Sequence, residues 1–339
     1  MNKFIENMIE KAKKSPKKIC FPESYSVDVL KTAEKVVETG IGSPLLIGNP
    51  KEIGDLADVN SISTVGFEYF DYKNEEVVEA MSDEYIATHE NARKKPTIKK
   101  LSTDPVRSGM FLLKMGKVDC LAAGKEYATG DVIMEGMQII GMAEGVESPS
   151  SLGIADIPNF QGSENNMLGL ADCAVNAQPD AKMLAGIAIS SADTVREMLG
   201  WTPRVAMLSF STDGSAEHES IDEVREAVKI VHQLRPDILC DGEFQLDSAI
   251  IPAVAAHKVK RESKVAGKAN ILVFPNLHAG NIGVKLIQIF GQANAYGPIL
   301  QGFKLPICDF SRSAPVEEML GNVAMLVIKA AARKDRTEV

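Results

Sequence analysis

Apolar residues recur along this chain in two alternating rhythms. Short, nearly continuous runs such as "KKICFPE", "SPLLIGNP", "VDCLAAG", "NMLGLADCAV", "RVAMLSFS", "PDILCDGE", "ANILVFPN" and "LPICDF" have the length and composition of strands buried on both faces. Between them, apolar positions repeat every three or four residues, the stripe of an amphipathic helix. Phe4, Ile5, Met8, Ile9 and Ala12 open this second pattern. A helix from Ser26 closed by Gly40 follows, then helices over 74–94 and 104–116 and another in "GDVIMEGMQIIG". A long helix begins near Asp180 and stops at Gly200, and four more are expected in "SIDEVREAVKIVHQL", "QLDSAIIPAVAAHK", "AGNIGVKLIQIFGQA" and "APVEEMLGNVAMLVIKAAAR". Strand–helix alternation of this extent predicts parallel α/β layers with helices on both faces of the sheets. The stretch 143–165, rich in Gly, Ser and Pro, reads as a hinge or crossover.

At 339 residues the chain exceeds what one core comfortably supports, so two domains are expected. A formal net charge of −9 argues against nucleic-acid binding but leaves room for a local anion pocket. Cys20, Cys120, Cys173, Cys240 and Cys308 are scattered without a CxxC pair, as expected of free thiols in a reducing cytoplasm. Neither a cleavable signal nor a run of membrane-spanning length is evident, and the five histidines show no metal-ligand spacing, so no metal is expected.

In open parallel sheets ligands bind where loops leave the carboxyl ends of strands. Four such loops carry polar chemistry. "SFSTDGSAEHESIDEV" brings Ser211, Thr212, Gly214 and Ser215 to the end of a buried strand, offering N–H and O–H donors to an anion, a reading slightly favoured over a tight turn with helix caps. "DGEFQLDSAI" clusters Asp241, Glu243 and Asp247, read as a polar cap rather than a metal site. "FPNLHAGNIGVKL" holds Asn281 beside Gly280 and a lone His278, and "AYGPILQGF" supplies Tyr296 and Gln301. In "ICDFSRSAPVEEML", Asp309, Ser311 and Arg312 follow a strand and Ser313 is placed to cap the helix bearing Glu318. A hydroxyl, a guanidinium and a carboxylate there suit acyl transfer, though capping plus a surface ion pair fits the spacing as well. The dinucleotide and phosphate-loop glycine patterns are not met: "GIGSPL" follows a helix and precedes a strand, the reverse of the required order.

"VAMLSFSTDGSA", "DGEFQLDSAIIP", "VAGKANILVFPNLHAGNIGVKL", "AYGPILQGFKLPICDFSR" and "ADCAVN" are spread over about half the chain. Together they resemble the phosphate acetyl/butyryl transferases, and within them the phosphate acetyltransferases. The resemblance implies two three-layer α/β/α domains of isocitrate dehydrogenase-like fold, with mainly parallel sheets and an interdomain cleft. The second domain would be an insertion over 147–299, with 1–146 and 300–339 forming the first. The charge, thiols and hydropathy already point to a cytoplasmic protein without nucleic acid or membrane, and the resemblance further implies a homodimer that moves an acetyl group between coenzyme A and inorganic phosphate. Coenzyme A is then a substrate, with no permanently bound cofactor and no metal. Direct attack in a ternary complex is implied, with Glu318 taking the thiol proton, Ser311 supporting the carbonyl oxygen and Arg312 holding phosphate. Ser211, Thr212, Gly214, Ser215, Asn281, Tyr296 and Gln301 would bind substrate.

The chain departs from the family pattern at several positions. Ser-Arg-Gly-Cys followed by aspartate becomes Ser311-Arg312-Ser313-Ala314 followed by Glu318, and a usual lysine is Asp213. Where the family reads Thr-Ala-Asp-Thr-Leu-Arg-Pro, its phosphate-binding arginine aligns with Met134, leaving Arg93 or Arg107 as substitutes. Met134 and Met137 are compatible with an enlarged apolar pocket, but on a helix the core side is the commoner place for them. These departures keep open a butyryl or propionyl preference, or a catalytically weakened protein binding coenzyme A or acyl phosphate. A dehydrogenase of related fold lacks its nucleotide loop and metal cluster here.

Overall fold

The computed structural model describes residues 3–89 and 92–337. The chain divides into two compact units, Met1–Gly141 with Phe303–Val339, and Met142–Gly302. In chain order the strands among the described residues are β1 (Lys17–Phe21), β2 (Gly42–Ile47), β3 (Glu68–Phe70), β4 (Cys120–Ala123), β5 (Ser150–Asp156), β6 (Met167–Ala171), β7 (Arg204–Leu208), β8 (Leu239–Phe244), β9 (Ile271–Val273), β10 (Asn294–Gln301) and β11 (Ile307–Asp309).

The first unit has a sheet of order β11-β4-β1-β2-β3, parallel at every pairing. Ile19, Cys20 and Phe21 of β1 and all of β4 are buried, which is why these strands read as unbroken apolar runs. Helix Val27–Thr39 buries Val29, Leu30, Ala33 and Val36, and ends where Gly40 turns left-handed at φ 72. The N-terminal helix Lys3–Ala12 buries the predicted stripe of Phe4, Ile5, Met8, Ile9 and Ala12 and packs against helix Val316–Thr337. The helix expected over 74–94 is shorter, Glu75–Thr88, and a separate one follows at Lys95–Leu101 with Pro96 in its first turn; residues 90 and 91 of the expected span lie outside the described residues.

In the second unit the sheet order is β10-β5-β6-β9-β7-β8. β6, β9, β7 and β8 pair in parallel, whereas β5 runs antiparallel to both β6 and β10. The stretch 143–165, expected as a hinge, therefore contains strand β5. Its Ser and Gly content hid it, because those residues favour turns in the absence of tertiary partners. Here Ser150 accepts from Gln301 at 3.0 Å and Ser151 donates to Asp172, so both buried hydroxyls are satisfied inside the sheet. "AYGPILQ" likewise forms β10. It tolerates Pro298 because it is an edge strand whose register shifts between Tyr296 and Ile299. The single helix expected over 245–258 is two, Leu246–Ile250 and Pro252–Lys258. Pro252 has no N–H to continue the ladder and disfavours a helical Ile251. No helix among the described residues is long and apolar enough to cross a membrane.

Candidate active site

β11, β4 and β1 are neighbours and parallel, so the loops leaving their carboxyl ends lie side by side. After β1 comes Glu23, completely buried, whose carboxylate accepts the backbone N–H groups of Lys125 (3.1 Å), Glu126 (2.8 Å) and Tyr127 (2.7 Å) in the loop after β4. Burial raises its pKa, and the three N–H donors partly offset this by favouring the charged form. After β11, Asp309 is 3% exposed, and its Oδ2 accepts the Thr129 hydroxyl at 2.6 Å. Two buried carboxylates thus hold the segment Gly124–Thr129 from either side.

The turn that follows carries the predicted catalytic groups. The N–H of Ala314 donates to the Ser311 carbonyl at 2.9 Å, closing a turn in which Ser311, Arg312 and Ser313 are exposed. The hydroxyls of Ser311 and Ser313 lie 3.1 Å apart. Helix Val316–Thr337 begins beyond them, after Pro315, so Ser313 serves this turn rather than capping the helix. Glu318 sits in the first turn of that helix, half-buried. Burial raises its pKa, and the neighbouring Lys125 ammonium works against that rise. Lys125 itself donates to the Ala314 carbonyl at 3.0 Å and pairs with Asp28 at 2.9 Å, so it ties the β4 loop to the β11 turn.

Reading the sequence alone missed Lys125, Thr129 and Glu23. The signal was present in "AAGKEYATG" and "FPES", polar loops after apolar runs, but their partners lie about a hundred or more positions away. Met134 and Met137 are 48% and 42% exposed, which corrects the expectation that they face the core. The helix bearing Met134 (Thr129–Glu135) is only seven residues long, followed by a π-turn at Gly136–Ile140, so the helical stripe read from the sequence does not persist. Of the two substitute arginines, Arg107 pairs with Glu135 at 2.6 Å and Arg93 donates to the Gln138 carbonyl at 3.4 Å.

In the second unit, the hydroxyl-rich loop is organised around an internal carboxylate. Ser211 (2.7 Å) and the Gly214 N–H (3.0 Å) both donate to Glu243, which also pairs with Arg225 at 2.8 Å. Burial raises the pKa of Glu243, but Arg225, Ser211 and the Gly214 N–H outweigh it and hold the group at about 2. Ser215 accepts the Thr212 N–H at 3.0 Å, and the Thr212 hydroxyl accepts the Gln245 N–H at 2.8 Å. Asp241 and Asp213 are bound by Arg261, and Asp247 by Lys258. No group of three or more His, Cys, Asp or Glu is arranged to hold a metal ion among the described residues. Asn281, exposed on helix Leu277–Ile289, donates to the Cys173 carbonyl at 3.3 Å. Tyr296 and Gln301 are buried on β10, and Gln301 also donates to Ser191 at 2.8 Å. Ser211, Thr212, Gly214 and Ser215 therefore share one loop, while Asn281 stands on a different element from Tyr296 and Gln301. All five cysteines are free, and burial raises the pKa of every one.

A sequence model described as Phosphate acetyl/butaryl transferase matches residues 3–327. Phosphate acetyltransferase of Thermoanaerobacterium thermosaccharolyticum is 41% identical over 331 residues, spanning 96% of this chain and 99% of the relative. That of Clostridium acetobutylicum is 40% identical over 329 residues, spanning 96% and 98%. Among solved structures, a phosphotransacetylase from Streptococcus pyogenes superposes with a TM-score of 0.88 at 32% identity, covering 98% of this chain and 99% of its own.

Proposed function

Because the chain belongs to the Phosphate acetyl/butaryl transferase family, we propose that it moves an acetyl group reversibly between coenzyme A and inorganic phosphate through the turn after β11. What supports this reading is that the stretch after β11, a strand lying beside the parallel β4 and β1, carries an exposed Ser311–Arg312 pair followed by a half-buried Glu318 whose pKa burial raises. Arg312 presents a planar fork of donors to the phosphate oxygens. A phosphate oxygen attacks the thioester carbon; the C–O bond forms, the C–S bond breaks, and the phosphate hydroxyl proton reaches the departing thiolate by way of Glu318. In the opposite direction Glu318 takes the coenzyme A thiol proton. The Ser311 hydroxyl donates to the carbonyl oxygen as it becomes negative.

Coenzyme A serves as substrate, and we assign no permanent cofactor. In the second unit, Asn281 is exposed, and beyond its hydrogen bond to the Cys173 carbonyl its side chain faces solvent where substrate can touch it. Ser211, Thr212, Gly214, Ser215, Tyr296 and Gln301 fit better as residues that shape their loop and strand, since those of their polar groups described above are engaged internally.

The testing experiment follows free-thiol release from acetyl-, propionyl- and butyryl-coenzyme A with and without phosphate. Acetyl is expected to react fastest and only with phosphate present; thiol release independent of phosphate would overturn the reading. With Met134 in place of the family's arginine, Arg312 carries more of the phosphate charge. Arg312→Ala is therefore expected to raise the KM for phosphate on the order of tenfold to a hundredfold, the loss of charge-assisted hydrogen bonds. An unchanged phosphate KM would remove Arg312 from this role.

The protein is further assigned as a cytoplasmic homodimer. Helix Leu277–Ile289 exposes Ile282, Leu286 and Ile289, and Phe290 follows at its end, at the i, i+4, i+7, i+8 spacing of one face. A second copy of the chain covers this face most simply, because one apolar surface can be self-complementary across a two-fold axis. Replacing Leu286 and Ile289 together by Glu is expected to halve the mass measured by light scattering. Since both side chains are exposed, the fold should be retained. A doubly substituted protein of unchanged mass would exclude this face.

A further inference from the structure

Behind the Ser311–Arg312 turn lies a polar atom that the catalytic reading leaves unused. Asp309 is 3% exposed; its Oδ2 is engaged by Thr129 at 2.6 Å, but its Oδ1 is buried with no hydrogen-bond partner among the described residues. Space around Oδ1 is tight: a Cβ added to Gly124, which sits at φ +95, would fall 2.0 Å from it. A full charge on a carboxylate with one unsolvated oxygen is costly. Asp309 ends β11, and Arg312 follows three residues later in the turn that leaves this strand.

We propose that Asp309 is a proton-holding residue behind the Arg312 anion site, so that a dianion binds more tightly when Asp309 is neutral. The inference rests on the reading above, in which Arg312 receives phosphate. When Asp309 is ionised, part of the Arg312 field is spent on it, and a dianion entering the site meets a like charge. Neutral Asp309 leaves the guanidinium to the ligand, and by linkage the ligand favours protonation of Asp309.

The surroundings agree with this assignment. Burial pushes the Asp309 pKa up to about 6; the Thr129 hydrogen bond and Arg312 favour the charged form, and the buried Glu23 opposes it. Glu23 reaches it from the loop after β1 and Arg312 from its own turn. The adjacent Cys308 thiol stays neutral through burial. Lys125, on the intervening loop, is committed to Asp28 and the Ala314 carbonyl. Because the folded pKa is raised, the neutral form holds below about pH 6 and is lost as pH rises through it.

The test measures sulfate binding by calorimetry between roughly pH 5 and 8.5 at constant ionic strength; sulfate stays a dianion throughout, so the ligand does not titrate. Wild-type affinity is expected to fall about five- to tenfold as pH rises through the transition, the size of a like-charge interaction at this range in a protein-like dielectric. Asp309→Asn should bind sulfate more tightly than wild type at pH 8 and lose this transition. Merely removing a structural side chain would not tighten binding. Thr129→Val should move the transition to higher pH, because it deletes the hydrogen bond that favours ionised Asp309; this variant decides the matter if the asparagine protein does not fold. Arg312→Ala separates the two claims. If it leaves sulfate binding intact at every pH, the phosphate assignment fails. If it abolishes binding while wild-type affinity is flat with pH, or Asp309→Asn weakens it, only the inference about Asp309 fails.

Discussion

Glu318→Gln is expected to lower kcat by about a hundredfold to ten-thousandfold, the range over which a positioned general base acts, while leaving the KM for phosphate nearly unchanged. The base must accept a thiol proton of pKa about 8.5 with a group that ordinarily titrates near 4.3, and that mismatch slows transfer. Half-burial of Glu318 raises its pKa and narrows the gap, with Lys125 limiting the rise. Activity should therefore increase with pH as Glu318 loses its proton, in a range above that of an ordinary glutamate, and this limb should vanish in the glutamine protein. Stability runs the other way. A carboxyl whose pKa is raised by folding contributes fully below its unfolded pKa, and the contribution is lost as pH rises through the folded value. At neutral pH the charged Glu318 thus works against the fold, and Glu318→Gln should melt no lower than wild type. A protein of undiminished Tm and collapsed rate marks the carboxylate as functional. Glu318→Asp should restore part of the rate by returning the acid–base chemistry one methylene short. An unaltered kcat in the glutamine protein would remove Glu318 from catalysis.

What the sequence disclosed follows from how local each determinant is. β1, β4, β7 and β9 could be read because strands covered on both faces show uninterrupted apolar runs. β5 could not be read, since Ser150 and Ser151 are buried only by virtue of Gln301 and Asp172, partners distant in sequence. The break at Pro252 was legible in principle from the proline itself, but the flanking helical periodicity masked it.

The same distinction governs the site. The rule that ligands sit at strand carboxyl ends picked out Ser311, Arg312 and Glu318, whose chemistry lies within one short stretch. It also picked out the donors of the 211–215 loop, yet it gave no sign that Glu243, 32 positions on, accepts from Ser211. Glu23 and Lys125 escaped notice because their meeting is 102 positions long. Residues whose roles are defined by a remote partner become visible only when the sheet order is known, as β11-β4-β1 shows.

Ser311→Ala is expected to reduce kcat on the order of a hundredfold to a thousandfold, the cost of deleting one donor aimed at a developing oxyanion. The hydroxyl is exposed, and the hydrogen bond described for it is that with Ser313 at 3.1 Å, so its removal should shift stability by no more than about 0.5 kcal/mol. Loss of rate at unchanged Tm therefore reports chemistry rather than folding. The KM values should stay close to wild type, because a donor that strengthens only as charge builds on the oxygen contributes little to the bound ground state. Ser313 makes the prediction discriminating. Its hydroxyl lies beside that of Ser311 and has the same chemistry, so if either can serve, Ser311→Ala alone will be mild and only the double variant with Ser313→Ala will be severe. A full loss in the single variant assigns the role to Ser311. A full rate in the double variant shows that the oxyanion is stabilised by some other donor, with Arg312 the first to be examined.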